Sequence, residues 1–206
     1  MELKTLTVQD FVTAAASEAP TPGGGAVAAV TAATGAALVE MVANLTIGKK
    51  GYEDVKDVMV DLQQRAQVIR ERSLELAQAD ADAFGLFMNA LALPKETDEE
   101  KAIRKEALQN AYKSAGSVPF EIGELANQIF DLADIAVQQG NTNLVTDGAI
   151  AAINARAAVR AAFLNVRINL MGIKDEAFNK EMREKMEAIE SQIDAREQAI
   201  VNACNL

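Results

Sequence analysis

Between Glu53 and Leu93 the apolar positions return at alternating steps of three and four residues. Val55, Met59, Leu62, Ala66 and Ile69 lead to Ser73, Leu76, Asp80, Ala83 and Phe87 on the same stripe. This spacing predicts a helix with one face turned to a bundle. If continuous, it is about 60 Å long. Pro94 ends it, and Thr97 with Glu100 forms a capping box for the next helix, expected to run to about Gly116. Pro119 is expected to open a further helix at its first turn, with Gly140 closing it.

Upstream, Thr7 can cap a short helix that turns Phe11, Val12 and Ala15 inward and ends near Ala19. The run Pro20-Thr21-Pro22-Gly23-Gly24-Gly25 interrupts regular structure, and an apolar helix follows from Ala26 to Leu45. Its only charge is Glu40, but its Ala, Gly and Thr content favours a buried helix of a soluble protein over a membrane span. Downstream, Thr146 can cap an Ala-rich helix reaching Leu170. A last helix from about Asp175 to Ala203 buries Phe178, Met182, Met186, Ile189, Ile193 and Ile200. Strand signals are almost absent. The chain is therefore expected to fold as one all-α domain over residues 1–206, a bundle of about seven helices that includes long antiparallel ones.

Composition narrows the chemistry. The 206 residues carry a formal charge of −10, which argues against nucleic acid and anionic membranes as partners. The N-terminal stretch is amphipathic rather than a leader, and the single cysteine, Cys204, fits a reducing cytoplasm. There is no histidine. That excludes Ser-His-Asp and Cys-His catalysis, HExxH zinc sites and the Glu-x-x-His di-iron bundle. Carboxylates spaced for a metal are not evident, so proton transfer must fall to Asp, Glu, Lys, Tyr, substrate groups or water.

Several polar residues break the apolar pattern. Asp80 lies on the buried stripe of the long helix, where a carboxylate needs a partner or its pKa rises; an ion pair, a widened groove and a functional acid all fit. Asp82 points to the opposite face. On the Ala-rich helix Asp147, Asn154, Asn165 and Asn169 share one side with Ala158 and Ala161. They suit interhelical hydrogen bonds that fix register, or a wall that reads a heteroaromatic ligand. Gly23-Gly24-Gly25 can present free N–H groups at a helix N-terminus to negative charge, but lacks the features of a Walker A or dinucleotide loop. Lys49-Lys50 is either an exposed charged turn or a dock for an anionic tail, with Tyr52 beside it. Cys204 reads as a terminal residue rather than a nucleophile.

Taken in order, the motifs also resemble a known family. Pro20-Thr-Pro-Gly-Gly-Gly-Ala26 and Glu40-Met-Val-Ala-Asn44-Leu-Thr-Ile-Gly-Lys49-Lys50 are followed by Asp80-Ala-Asp82-Ala-Phe84, Leu93-Pro-Lys95, Ser117-Val-Pro119, Gly140-Asn141, Thr146-Asp147, Asn165-Val-Arg-Ile-Asn169-Leu and Asp175-Glu-Ala-Phe178. This series resembles the cyclodeaminase domain of formiminotransferase-cyclodeaminase, a family that also holds stand-alone bacterial methenyltetrahydrofolate cyclohydrolases. The sequence departs from the family pattern at Ala26 and Thr146, where Ser is usual, and at Arg167, where an apolar residue is usual.

The resemblance implies an all-helical homodimer that acts on tetrahydrofolate derivatives at the N5–N10 bridge, with no metal and no cofactor beyond that substrate. Cyclodeamination of 5-formimino-tetrahydrofolate to the 5,10-methenyl form is the favoured expectation, and methenyl hydrolysis to 10-formyl-tetrahydrofolate the alternative. A non-catalytic helical scaffold is the alternative of another class. Asp80 is the first candidate for acid-base work and cation stabilisation, and Asp147 the second. Asn44, Asn141, Asn165 and Asn169 are expected to position the pterin. Gly23, Gly24, Gly25 and Lys49 are expected to face its polar edge or the glutamate tail.

Overall fold

The structure is a computed structural model that describes residues 2–205. Six α-helices carry it: α1 Val8–Ala15, α2 Gly24–Asn44, α3 Lys56–Leu91, α4 Asp98–Gln139, α5 Val145–Leu170 and α6 Glu176–Ala203. Single 3₁₀ turns lie at Leu3–Thr5, Glu53–Val55 and Thr142–Leu144, and among the described residues there is no strand.

Helices α2 to α5 form a closed ring, each packed on the next and α5 returning to α2. Contacts along the seams show that neighbours run antiparallel. Gly25 meets Asp80 and Glu40 meets Arg70 across α2 and α3. Gly24 meets Asn165 and Gly35 meets Ala151 across α2 and α5. Helix α6 packs outside, against α5 and α4.

Small side chains let these axes approach closely. Ala26, Ala29, Ala32 and Ala36 on α2, with Ala151, Ala155, Ala158 and Ala162 on α5, are fully buried. The larger volume comes from Phe130, Phe163, Met59, Leu62 and Ile129. Phe163 stacks on Phe120 with centroids 5.7 Å apart, and each such buried ring contributes about 1.5–3 kcal/mol. The α3 stripe is buried as its spacing predicts, from Met59 through Leu62, Ala66, Ile69 and Ser73 to Leu76.

Side-chain caps explain three of the six helix starts. Thr7 accepts from the Asp10 N–H, Thr97 and Glu100 make the expected capping box, and Asp175 accepts from the Phe178 N–H. Helix α2 starts at Gly24, two residues before the predicted start, and its N-cap Gly23 has no side chain to offer.

Three expectations are corrected. Helix α1 ends at Ala15, and only Phe11 packs on the core; Val12 and Ala15 are exposed because this short helix lies at the rim. Thr146 does not cap α5, which starts at Val145. The preceding turn is held instead by Asn141, whose Oδ1 accepts from the Asn143 N–H. Pro119 does not open a helix: it sits inside the 42-residue α4, so six helices replace the expected seven. Proline removes the donor that would meet the carbonyl four residues back. That carbonyl, of Ala115, accepts instead from Asn169 Nδ2 at 2.9 Å.

Candidate active site

One end of the four-helix ring is hollow. A cavity of about 300 Å³ opens there, lined by the Pro20–Gly25 loop, Asp80, Phe84 and Phe87 of α3, Tyr112 and Ala115 of α4, and Asn165, Ile168 and Asn169 of α5. All four ring helices contribute, so only the assembled bundle forms it.

Asp80 stands over the first turn of α2. The glycine at position 25 is what permits it, for a Cβ built there would overlap the carboxylate. The side chain is half-buried, and desolvation pushes its pKa above the usual carboxylate range, while the Ala26 backbone N–H facing it pulls the other way. Asp80 thus occupies the place of the side-chain cap that Gly23 cannot supply, with the positive end of the α2 dipole beneath it. Asp82, two residues on, is exposed and accepts from Gln78 Nε2.

The asparagines on α5 form the opposite wall. Asn165 Nδ2 donates to the Ala161 carbonyl, and Asn169 Nδ2 donates to the carbonyls of Asn165 and Ala115. Asn169 therefore spends both of its amide N–H groups on backbone and Asn165 one of its two, and each has its Oδ1 as an acceptor. A heteroaromatic ring rich in N–H groups complements such a wall.

The third wall is aromatic, and the sequence reading did not place it. Phe84 and Phe87 lie 6.4 Å apart by centroid, and Phe87 lies 5.0 Å from Tyr112. The signal was present, because Phe84 and Phe87 follow Asp80 by four and seven positions and so share its face. Tyr112 comes from α4 and carries no local mark.

The remaining candidates are not brought to this cavity. Asp147 and Asn165 are 18 positions apart on α5, about 27 Å along the axis. Asn44 ends α2, where its Oδ1 accepts from Gln63 Nε2. Asn141 is buried at the α4–α5 junction, donating its backbone N–H to Thr46 Oγ1 and its Nδ2 to the Leu45 carbonyl. Lys49 sits over the Tyr52 ring at 5.9 Å, and the Tyr52 hydroxyl meets Thr142. These four residues cluster at the opposite end because α2 and α5 are long uninterrupted helices whose termini cannot share one pocket. Cys204 is buried, its thiol directed at the Val145 carbonyl.

The profile described as formiminotransferase-cyclodeaminase matches residues 7–188. The chain belongs to the formiminotransferase-cyclodeaminase family. A methenyltetrahydrofolate cyclohydrolase from Methylorubrum extorquens is 41% identical over 183 residues, covering 89% of this chain and 88% of that protein. Formimidoyltransferase-cyclodeaminase from Rattus norvegicus is 33% identical over 179 residues. The match covers 87% of this chain but only 33% of the rat protein. The crystal structure of formiminotetrahydrofolate cyclodeaminase from Thermotoga maritima superposes with a TM-score of 0.88 at 36% identity, covering 99% of this chain and 98% of that one.

Within the family pattern, the departure at Arg167 has a local reason. Its side chain is exposed on the outer face of α5 and pairs with Glu190 of α6, away from the cavity walls. Ala26 keeps its N–H against Asp80, so loss of a hydroxyl at that position leaves the backbone donor in place.

Proposed function

We propose that the 206 residues act as one folate one-carbon domain at the N5–N10 bridge of tetrahydrofolate, as a formiminotetrahydrofolate cyclodeaminase. The observation that carries this reading is Asp80: a desolvated carboxyl in a cavity with an aromatic wall on one side and amide acceptors on the other. The pterin and aminobenzoyl rings fill such a space by stacking on Phe84, Phe87 and Tyr112, with pterin N–H groups donating to Asn165 and Asn169.

The reaction needs one proton moved. N10 attacks the carbon of the N5-amidinium, forming a tetrahedral carbon bonded to N5, N10 and the exocyclic nitrogen. The N10 proton must then reach that nitrogen so that ammonia leaves, its C–N bond electrons departing with it and the N5 lone pair closing the methenyl cation. A carboxyl with a raised pKa is a stronger base than a solvated aspartate and surrenders the same proton again. Ionised, it also balances the positive bridge. No cofactor beyond the folate is required by this scheme.

A second reading, methenyltetrahydrofolate cyclohydrolase, is favoured by the 41% identity to the Methylorubrum protein over nearly all of both chains. It uses the same carbon, with Asp80 taking a proton from attacking water. Absorbance of the methenyl chromophore separates the two. Its appearance from 5-formimino-tetrahydrofolate identifies the cyclodeaminase; accelerated loss from methenyl-tetrahydrofolate identifies the cyclohydrolase. Folded protein silent in both assays, with a melting temperature unmoved by reduced folate, would return the scaffold alternative.

Helices α2 and α5 also expose an apolar face beside the cavity. Val27 on α2 and Leu45 just after it, with Ile150, Ile153, Leu164 and Ile168 on α5, are all at least 42% exposed, more than scattered surface residues explain. We propose that this face joins two copies of the chain in a cytoplasmic homodimer. A twofold axis lying in the plane of the interface, perpendicular to α2 and α5, lays the Asp147 end of one copy on the Asp80 end of the other. Asn44, Lys49, Asn141 and Asp147 would then serve the partner's cavity.

A further inference from the structure

The turn that joins α5 to α6, from Met171 to Asp175, is fastened to three helices. The N–H groups of Gly172 and Ile173 donate to the carbonyls of Asn169 and Leu170. Gln109 of α4 holds the next step with both ends of its amide. Its Nε2 donates to the Gly172 carbonyl and its Oε1 accepts from the Lys174 N–H, each at 2.8 Å. Buried Asn179 of α6 donates to the Ile173 carbonyl at 2.9 Å, and Lys113 of α4 pairs with Asp175 at 2.7 Å. Ile173 itself lies in the core. Most connecting segments are mobile; this one is tied at almost every backbone group.

What the turn sets against α4 is Gly172. A Cβ built there would overlap Cζ and both Cε atoms of the Tyr112 ring. Backbone conformation gives no other reason for glycine, since Gly48 and Gly51 have positive φ and Gly172 does not. The ring contact is therefore what excludes a side chain at this position.

Tyr112 is a partition one ring thick. On one side is the cavity, which Phe87 also lines, its centroid 5.0 Å from that of Tyr112. On the other side is a groove of about 340 Å³ that Gly172 and Gln109 border without reaching the cavity. A side chain at position 172 would thus push the ring from the groove side toward the space where a substrate ring stacks.

We infer that Gly172 and Gln109 are positioning residues for this site: the turn they fasten is the stop against which Tyr112 rests, and it sets the width of the slot for the folate ring. The inference rests on the folate reading above and assigns neither residue a contact with substrate. Stacking on Tyr112 acts on ground state and transition state alike, so a shifted ring raises KM and spares kcat.

The test uses purified full-length protein and whichever of 5-formimino-tetrahydrofolate or methenyl-tetrahydrofolate the wild type turns over. Gly172→Ala should raise KM by about three- to tenfold, the worth of one aromatic pair, with kcat within about twofold of wild type. Gln109→Met, which loosens the turn without adding bulk at the ring, should raise KM by less. Tyr112→Leu removes the atoms that the new methyl meets, so Gly172→Ala should have no further effect on KM in that background. Gly85→Ala, on a face of α3 with open space around it, should leave both constants unchanged. A second readout needs no folate. Tyr52 and Tyr112 are the two tyrosines and the chain has no Trp, so in Tyr52→Phe the emission reports on Tyr112 alone. Gly172→Ala should change its quenching by acrylamide. Unchanged quenching, an unchanged KM in Gly172→Ala, or a KM penalty that persists in the Tyr112→Leu background overturns the positioning role and leaves the folate reading standing. Folded wild-type protein that turns over neither folate removes the folate reading and this role together.

Discussion

Asn169 supplies the hydrogen-bond donor that Pro119 withholds. Its Nδ2 lies 2.9 Å from the Ala115 carbonyl, the acceptor four residues before the proline, and 2.8 Å from the Asn165 carbonyl on its own helix. One amide thereby lets α4 run unbroken past a proline and locks α5 to it beside the cavity. The structural and functional readings of this asparagine are not alternatives, because the amide that repairs α4 also borders the cavity.

The repair has an energetic signature. Asn169→Ala should cost about 1–3 kcal/mol by leaving a half-buried carbonyl unpaired, a fall in Tm of about 2–4 °C per kcal/mol. Pro119→Ala restores a backbone donor to Ala115, so the same asparagine truncation should cost less in that background. Thermal melts of the four proteins in this cycle measure the coupling. Equal costs in both backgrounds would show that Asn169 does not compensate for Pro119.

Asp80→Asn should lower kcat by about 10²–10⁴-fold while the protein stays folded, because the amide oxygen still faces the Ala26 N–H. The pH dependence of stability carries a second mark. Burial raises the folded-state pKa of Asp80 above its unfolded value. Within that interval the folded state holds a proton the unfolded chain has lost. The contribution is therefore complete below the ordinary aspartate range and is lost as pH rises through the raised pKa. Melting temperatures from about pH 4 to about pH 8 should fall more in the wild type than in Asp80→Asn. Parallel profiles, or normal turnover in the variant, would remove Asp80 from the role assigned here.

Gly25→Ala tests the seat of that carboxylate. The new methyl overlaps Asp80, so the carboxylate must leave the α2 terminus, at a cost of about 1–3 kcal/mol and with loss of turnover. Gly23→Ala meets only the Pro20 carbonyl at 3.5 Å, an ordinary contact, and its extended backbone suits any residue. The pair should therefore separate sharply in both Tm and kcat. Similar behaviour of the two variants would mean that the close approach at Gly25 has no functional weight.

Local pattern carried much of this architecture. The three-four spacing on α3 placed Met59 to Leu76 inside and singled out Asp80 as a polar residue on a buried stripe. What the pattern lacked was partners. The rule that admits proline only to a helix's first turn is local, and it failed at Pro119 because the compensating donor comes from Asn169, fifty positions later. The start of α2 was misplaced for the same reason, since its first turn is covered by a side chain of α3. Motif order likewise says nothing about which helix end a residue occupies. The predicted site consequently separated into an Asp80 cluster and an Asp147 cluster at opposite ends of the ring. The aromatic wall was half visible, in the shared face of Asp80, Phe84 and Phe87, and half hidden, in Tyr112 on α4.

That separation leads to the last prediction. If two copies pair through the exposed α2–α5 face about a twofold that lies in the interface and crosses the helices, each cavity receives Asp80 from one copy and Asp147 from the other. Asp80→Asn and Asp147→Asn homodimers should then both be impaired. Mixing them under conditions that exchange subunits should restore activity to about a quarter of wild type, because half of the dimers are mixed and each mixed dimer keeps one intact site. Leu164→Glu, which puts a charge on a residue 65% exposed in the single chain, should shift the protein to monomer in sedimentation and take activity with it. Wild-type turnover by Asp147→Asn, or by a monomeric Leu164→Glu protein, would place the whole reaction within one bundle. Impaired parents that recover nothing on mixing, despite demonstrated subunit exchange, would instead make Asp147 a residue of its own chain's stability.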